Sequence, residues 1–341
     1  MKPDDACKDA AGYRDKAQEG KREAEGSFVY NRFSEYLKNR YGARVYKLPV
    51  CIPVTCPNRD GRKGTGGCIF CGEEGAGFET LPETLGIKEQ LEQNARYIGE
   101  NYRAEKFIVY FQNFSNTYLP LDRFQMHVRE ACLPDIAAIY ISTRPDCIHD
   151  RYLQFLQEIK AEKGIDVVIE LGLQTVNYRT LAWLNRGHGL AEFVDAVLRI
   201  KSHGLGTCAH YIVDLPMDAV SDVVEGSRVL SALGVGQVKC HSLYILENTV
   251  LGDMFVQGEI MPVTMEEYME RTISFLEYLD PAITVQRLIG RAPREKTLFC
   301  SWNTSWRKIH DMIVARMQAE GRFQGRLFNY LNGSACLDGF S

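Results

Sequence analysis

The chain has 341 residues, 45% hydrophobic and 25% charged, the balance of a folded globular protein with apolar material for a sizeable core. A net charge of −4 excludes wholesale coating of nucleic acid but allows a local basic face, and no DNA partner is expected. Eleven cysteines without a leading apolar run, and no apolar segment near the roughly 18 residues of a membrane span, predict a cytoplasmic protein with reduced thiols and no membrane contact.

Residues 1–26 are polar and are expected to form a disordered tail. FVYNRFSEYLKNRY (28–41) spaces Phe28, Phe33, Tyr36, Leu37 and Tyr41 as a short amphipathic helix, and VYKLPV (45–50) reads as the first strand. A glycine-rich cysteine loop follows. Helices are then predicted at 84–102, 121–132, 150–162, 219–233 and 265–279, with helical segments over 178–203 and a terminal helix at 304–319. They alternate with strands at 107–112, 137–143, 167–174, 207–216 and 237–245, and TVQRLI (284–289) offers one more. Strand–helix units of this length give parallel strands with crossover helices. Six of them in a row, without G-x-G-x-x-G or a P-loop, predict an α/β fold built as a partial (β/α)6 TIM-like barrel with N-terminal and C-terminal extensions. The expected core is 27–245, carrying the loop at 51–80. Residues 246–341 are expected to pack on the barrel as an extension with possible substrate contact.

The loop TCPNRDGRKGTGGCIFCGEEGAGF (55–78) has Cys56, Cys68 and Cys71 and almost no large apolar residue, so it is folded by what it binds. Structural zinc would need a fourth ligand, for which Cys51 stands available. A three-cysteine iron–sulfur cluster would leave one iron open, and the spacing leaves both choices standing, beside unligated or disulfide-bonded thiols. In a βα barrel the chemistry lies at the carboxyl ends of the strands. Those ends carry Gln112, Asn113, Ser115, Asn116 and Thr117; Ser142, Thr143, Arg144 and Asp146; Glu170, Gln174 and Thr175; Asn185, Arg186 and His188; His210 and Asp214; and Lys239 and His241. Each alone could serve as a cap or a buried partner, yet their joint placement on the loop's side points to a lined site.

TCPNRDGRKGTGGCIFC, YFQNFSNTY, STRPD, ELGLQT, NRGH and HYIVDLP, in that order, resemble the radical S-adenosylmethionine (SAM) superfamily, nearest the YhcC/YtqA-like group. The resemblance extends more widely to the radical domain of the elongator catalytic subunit. It implies that Cys56, Cys68 and Cys71 ligate a [4Fe–4S] cluster whose open iron chelates SAM, from which a 5′-deoxyadenosyl radical is made. It also implies that the Phe70 backbone meets the adenine, that Gln112 and Asn113 hold the methionine amine, and that Gln174, Arg186 and His210 contact the cofactor. Eleven residues separate Cys56 from Cys68, where the commonest motif of the superfamily has three. A reductant such as flavodoxin or ferredoxin is implied as a partner. The elongator likeness makes tRNA the expected substrate, modified at the 5-substituent of its wobble uridine. The alternatives are a small molecule or protein side chain, or more remotely a zinc-stabilised RNA-binding module. Residues 287–326 carry a local excess of six positive charges, which by themselves read first as a solvated helix surface; Trp302 and Trp306 among them suit contact with phosphates and bases or, equally, core packing.

Overall fold

The computed structural model describes residues 28–73, 75, 80–293, 296–333 and 336, so the tail at 1–26 lies outside the described residues. Seven strands form one parallel sheet: β1 (Val45–Val50), β2 (Lys106–Phe111), β3 (Ile136–Thr143), β4 (Asp166–Gln174), β5 (Gly206–Ile212), β6 (Gln237–His241) and β8 (Thr284–Arg287). Sequential strands are neighbours throughout, with a crossover between each pair. The short β7 (Ile245–Leu246) pairs antiparallel with β9 (Thr297–Phe299) outside that sheet.

Period-two alternation separates the two faces. Leu48, Val50, Val109, Phe111, Ile139, Ile141, Ile169, Leu171, Ala209, Tyr211 and Val238 bury themselves in one continuous core beneath the crossover helices. The other face curls inward. Lys47 on β1 reaches Gln286 on β8 at 2.7 Å, so side chains of the first and last strands meet across the interior. The two strands are not paired with each other, and the barrel stays open. Its amino end is plugged by α1 (Phe33–Tyr41), whose Phe33, Tyr36, Leu37 and Tyr41 pack on Val45, Ile108, Ala138, Val168 and Cys208.

The predicted strands are present, two of them ending earlier than expected: 207–216 contracts to β5 and 237–245 to β6, with Ile245 opening β7. The offered strand at 284–289 is β8, so the C-terminal extension contributes a seventh strand to the sheet. The helical segments predicted over 178–203 are α5 (Tyr178–Trp183) and α6 (Leu190–Ser202), separated where Asn185 and Gly187 take positive φ. Besides α2 (Ile87–Tyr102), α3 (Leu121–Glu130), α4 (Asp150–Lys163) and α7 (Val220–Leu233), the extension adds α8 (Val250–Val256), α9 (Met265–Tyr278) and α10 (Trp306–Ala319).

Candidate active site: a three-cysteine loop over the barrel mouth

The long insertion between Cys56 and Cys68 folds back on itself as a small hairpin. Asp60 bridges Thr65, Lys63 N–H donates to the Pro57 carbonyl at 2.8 Å, and Gly67 N–H donates to Asn58 at 2.8 Å. The extra residues therefore return Cys68 toward Cys56, and Cys71 N–H closes the last turn on the Cys68 carbonyl at 2.9 Å. The segment after α5 anchors the loop: Ile69 N–H donates to Leu184, Asn185 Nδ2 to Gly67 at 2.8 Å, and Asn58 Nδ2 to the Asn185 carbonyl. Gly187 has φ 71°, and a Cβ there would stand 2.6 Å from Asn58 Oδ1, so no other residue fits without moving the loop.

Two fixed cations meet the thiols. Arg186 Nη1 lies 3.4 Å from Cys68 Sγ and Arg144 Nη1 lies 3.9 Å from Cys56 Sγ, with Asn58 Nδ2 3.8 Å from Cys68 Sγ. Arg144 is held by a buried two-pronged pair with Asp146 at 2.9 and 3.0 Å. Arg186 is held by the Gly172 carbonyl at 2.7 Å, and Gly172 must lack a side chain because a Cβ would meet the guanidinium at 2.5 Å. Burial, and then the neighbouring Cys68 and Cys56 charges, push the Cys71 thiol up to about 11. His188 is driven down to about 3 by burial and by Arg186 and Arg144. Cys71 thus feels both other thiols as like charges, and three thiols on one loop beside two fixed guanidiniums are a donor set that fits a [4Fe–4S] cluster.

Cys51 turns elsewhere. Its backbone is clamped by Gln90, donated to at 2.9 Å and donating back at 2.8 Å. Burial raises its thiol pKa, with Thr80 and Glu83 as the other groups acting on it and no cysteine among them. A fourth cysteine ligand, and with it the zinc reading, finds no support in this arrangement.

The remaining residues matched by sequence fall into two groups. Phe70 lies on the Cys68–Cys71 turn, half-buried against the cluster of Leu184, Ile212, Leu243 and Ile245. Gln112 directly follows β2 and is buried. Gln174, at φ 77°, converges with Arg186 over Gly172. Asn113 is instead occupied by backbone: its Nδ2 donates to Ile52 at 2.7 Å and its Oδ1 accepts from Ile52 N–H at 3.4 Å, tying the end of β2 to the segment leaving β1. His210 is deeper, 2.8 Å from Glu170, and burial and Lys239 hold it neutral, down to about 4.

Glu170 is the hub of the interior. It accepts from Lys47 at 2.8 Å, Lys239 at 2.6 Å and Gln286 at 3.1 Å besides His210. Lys239 also donates to the Tyr110 hydroxyl at 3.1 Å. Glu170, Cys208 and His210 bring possible ligand atoms within 4.8 Å of one another, yet two ammonium groups already occupy the carboxylate's charge. Sequence reading overlooked Lys47 and Asn58. The signal for Lys47 was present, a lone lysine at an inward position of an otherwise apolar strand.

A cleft of about 880 Å³ opens between the loop and the C-terminal extension, lined by Gly72, Glu73, Glu247, Asn248, Gly290, Arg291, Lys296, Ser301 and Trp306 among others. A smaller one of about 290 Å³ reaches Cys68 and Cys71. Of the two tryptophans, Trp302 packs in the core against Tyr268 and donates to the Val263 carbonyl at 2.8 Å. Trp306 lines the cleft, with the Arg291 and Arg307 guanidiniums 4.8 and 5.3 Å from its ring.

A curled parallel sheet whose first loop presents three cysteines at the strand ends is the architecture of radical SAM enzymes. The Radical SAM superfamily profile matches residues 57–225 and the Radical_SAM C-terminal domain profile matches 235–319. The chain belongs to that superfamily, an enzyme family using a [4Fe–4S] cluster and SAM. Protein YhcC of Escherichia coli is 30% identical over 80% of this chain and 87% of its own length, and YtqA of Bacillus subtilis 29% over 90% and 95%. A tRNA uridine(34) acetyltransferase of Methanocaldococcus jannaschii is 26% identical over 42% of this chain and 26% of its own length. The structure of Elp3 from Methanocaldococcus infernus superposes with a TM-score of 0.63 at 15% identity, covering 82% of this chain and 64% of that one. That likeness shows the fold.

Proposed function

We propose that this enzyme alters the 5-substituent of the wobble uridine of tRNA by radical chemistry. The observation that carries the reading is the large cleft. It starts at Gly72, beside the cluster ligand Cys71, and runs out to Trp306 with Arg291, Lys296 and Arg307 along it. An aromatic ring among guanidiniums suits a single-stranded loop, whose bases stack while cations meet the phosphates. Glu73 and Glu247 also line the cleft, and the exposed Lys296–Glu73 pair at 3.9 Å is weak enough for a phosphate to displace. The partial match to a protein named for tRNA uridine(34) gives the same substrate independent support.

When bound, the cluster and SAM supply the 5′-deoxyadenosyl radical that takes a hydrogen atom from the substrate. Cys56, Cys68 and Cys71 would hold the cluster, and Phe70, Gln112, Asn113, Gln174, Arg186 and His210 would frame the cofactor, Asn113 through the backbone it fixes. An electron donor of the flavodoxin or ferredoxin kind would serve the reaction in the cytoplasm. Among the described residues no helix is long and apolar enough to cross a membrane. The test is a comparison of modified nucleosides in tRNA from wild-type and deletion cells. An altered 5-substituted uridine profile is expected, and an unchanged one refutes the tRNA reading.

A further inference from the structure

The barrel interior holds more positive charge than it neutralises. Lys47, Lys239 and Arg287 project into it, and Glu170 is the one carboxylate among the described residues bonded to any of them. That carboxylate is taken by the two lysines and His210. Arg287, at the carboxyl end of β8, donates through Nη2 to His241 Nδ1 at 2.8 Å, its Nε is buried without a partner, and no acid among the described residues pairs with it. A guanidinium does not shed its proton. His241 and His210, with rings 5.1 Å apart, are both kept neutral by burial and by these same cations, so neither imidazole competes for an anion as a cation nor offers a counter-charge.

A half-buried cation without a counter-ion is unfavourable for folding, and such groups persist where an anion arrives. The approach is also visible. Gly290 lines the large cleft, and a Cβ there would stand 3.4 Å from His241 Nδ1 and 3.8 Å from Arg287 Nη2, so the guanidinium lies behind a wall that has no side chain. We propose that Arg287, oriented by His241, receives an oxyanion of the substrate, a carboxylate or phosphate carried by the group that enters through the cleft. This rests on the cleft being the substrate entrance. The cofactor's own carboxylate is the competing source. It is disfavoured because the arginines at the cysteine loop come from the segments after β3 and β4, whereas Arg287 is on the last strand, beside the cleft.

The test uses the anaerobically reconstituted holoprotein, with potassium acetate and inorganic phosphate as probes against potassium chloride at equal ionic strength. Acetate or phosphate is expected to raise the melting temperature of the wild type, as any ligand of the folded state does. The more effective of the two identifies the class of oxyanion. Arg287→Gln should lose that shift and Arg287→Lys keep part of it. With no probe present, Arg287→Gln should melt at or above the wild-type temperature, because an uncompensated charge has been removed. Its SAM affinity by equilibrium dialysis, and its 5′-deoxyadenosine release without substrate, should stay within about twofold of wild type. An anion shift retained in Arg287→Gln overturns the proposal. So does a lowered melting temperature, which would make the arginine structural, or a SAM affinity reduced ~tenfold, which would assign it to the cofactor. None of these arms contains RNA, so they fail or succeed independently of the tRNA nucleoside comparison.

Discussion

Replacing Glu170 by glutamine removes the one carboxylate that balances Lys47 and Lys239. The side chain is 1% exposed, so solvent does not screen the loss. Breaking a buried ion pair by removing one partner costs about 3–5 kcal/mol, since the other charge is left uncompensated. At about 2.1 cal/mol/K per residue, unfolding of a chain this long carries an entropy near 0.7 kcal/mol/K, so the loss corresponds to about 4–7 °C in melting temperature. The pH dependence gives the sharper signature. Burial lowers the Lys47 pKa from 10.5 to about 8, so between those values the unfolded chain binds more protons than the folded one and stability rises with pH. Without Glu170 the lysine titrates lower still, and the rise begins below pH 8. Lys239 holds the Glu170 carboxyl well below its ordinary 4.5 against the opposing effect of burial, so its stabilising contribution is complete above 4.5 and disappears as pH falls through the folded value. The gap between wild type and Glu170→Gln should therefore be widest near neutrality and narrow on both sides. Thermal melts by circular dichroism at a series of pH values measure it. A gap that is flat from about pH 6 to 9.5, or a shift below about 1 °C, would refute the reasoning.

Cys68→Ala should lose cluster iron and stop 5′-deoxyadenosine formation, whereas Cys51→Ser should keep both, because the Cys51 thiol faces Thr80 and Glu83; iron content and product assays decide it. Arg186→Gln removes a fixed positive charge 3.4 Å from Cys68 Sγ and should make the cluster harder to reduce, by on the order of 50 mV in a redox titration followed by electron paramagnetic resonance. Gly187→Ala forces a side chain into positive φ and against Asn58, and should lower the iron retained after reconstitution while far-ultraviolet circular dichroism stays unchanged.

The sheet was legible because its strands announce themselves as apolar runs bounded by turn residues, and consecutive strand–helix units allow few topologies. The cysteine loop stood out for the same local reason, a C-x-x-C in a loop with no core of its own. What lay beyond reach was partnership across long separations. Asn113 offers a polar side chain at a strand end, and only the structure shows that Ile52, 61 residues earlier, fills its amide. Lys47 stands out as a lone lysine on an apolar strand, but its partner Glu170 lies 123 residues later. The hairpin within 56–68 shows the opposite case, where an apparent departure from the usual spacing is absorbed locally and leaves the cysteines together.

The basic C-terminal segment shows how charge counted along a sequence differs from charge presented in space. Arg316 pairs with Glu266, Glu270 and Glu320; Arg322 with Glu270, Glu277 and Glu320; and Arg326 with Glu277. Three of the five carboxylates on α9 and α10, Glu266, Glu270 and Glu277, are thus spent fastening α10 and the turn after it to α9, and those arginines act as clasps for the extension. Other cationic groups stand elsewhere, Arg291, Arg307 and the Glu73-paired Lys296 along the cleft and Arg287 behind its wall. A chain of net charge −4 can in this way gather cationic groups at one place, the cleft beside the cysteine loop.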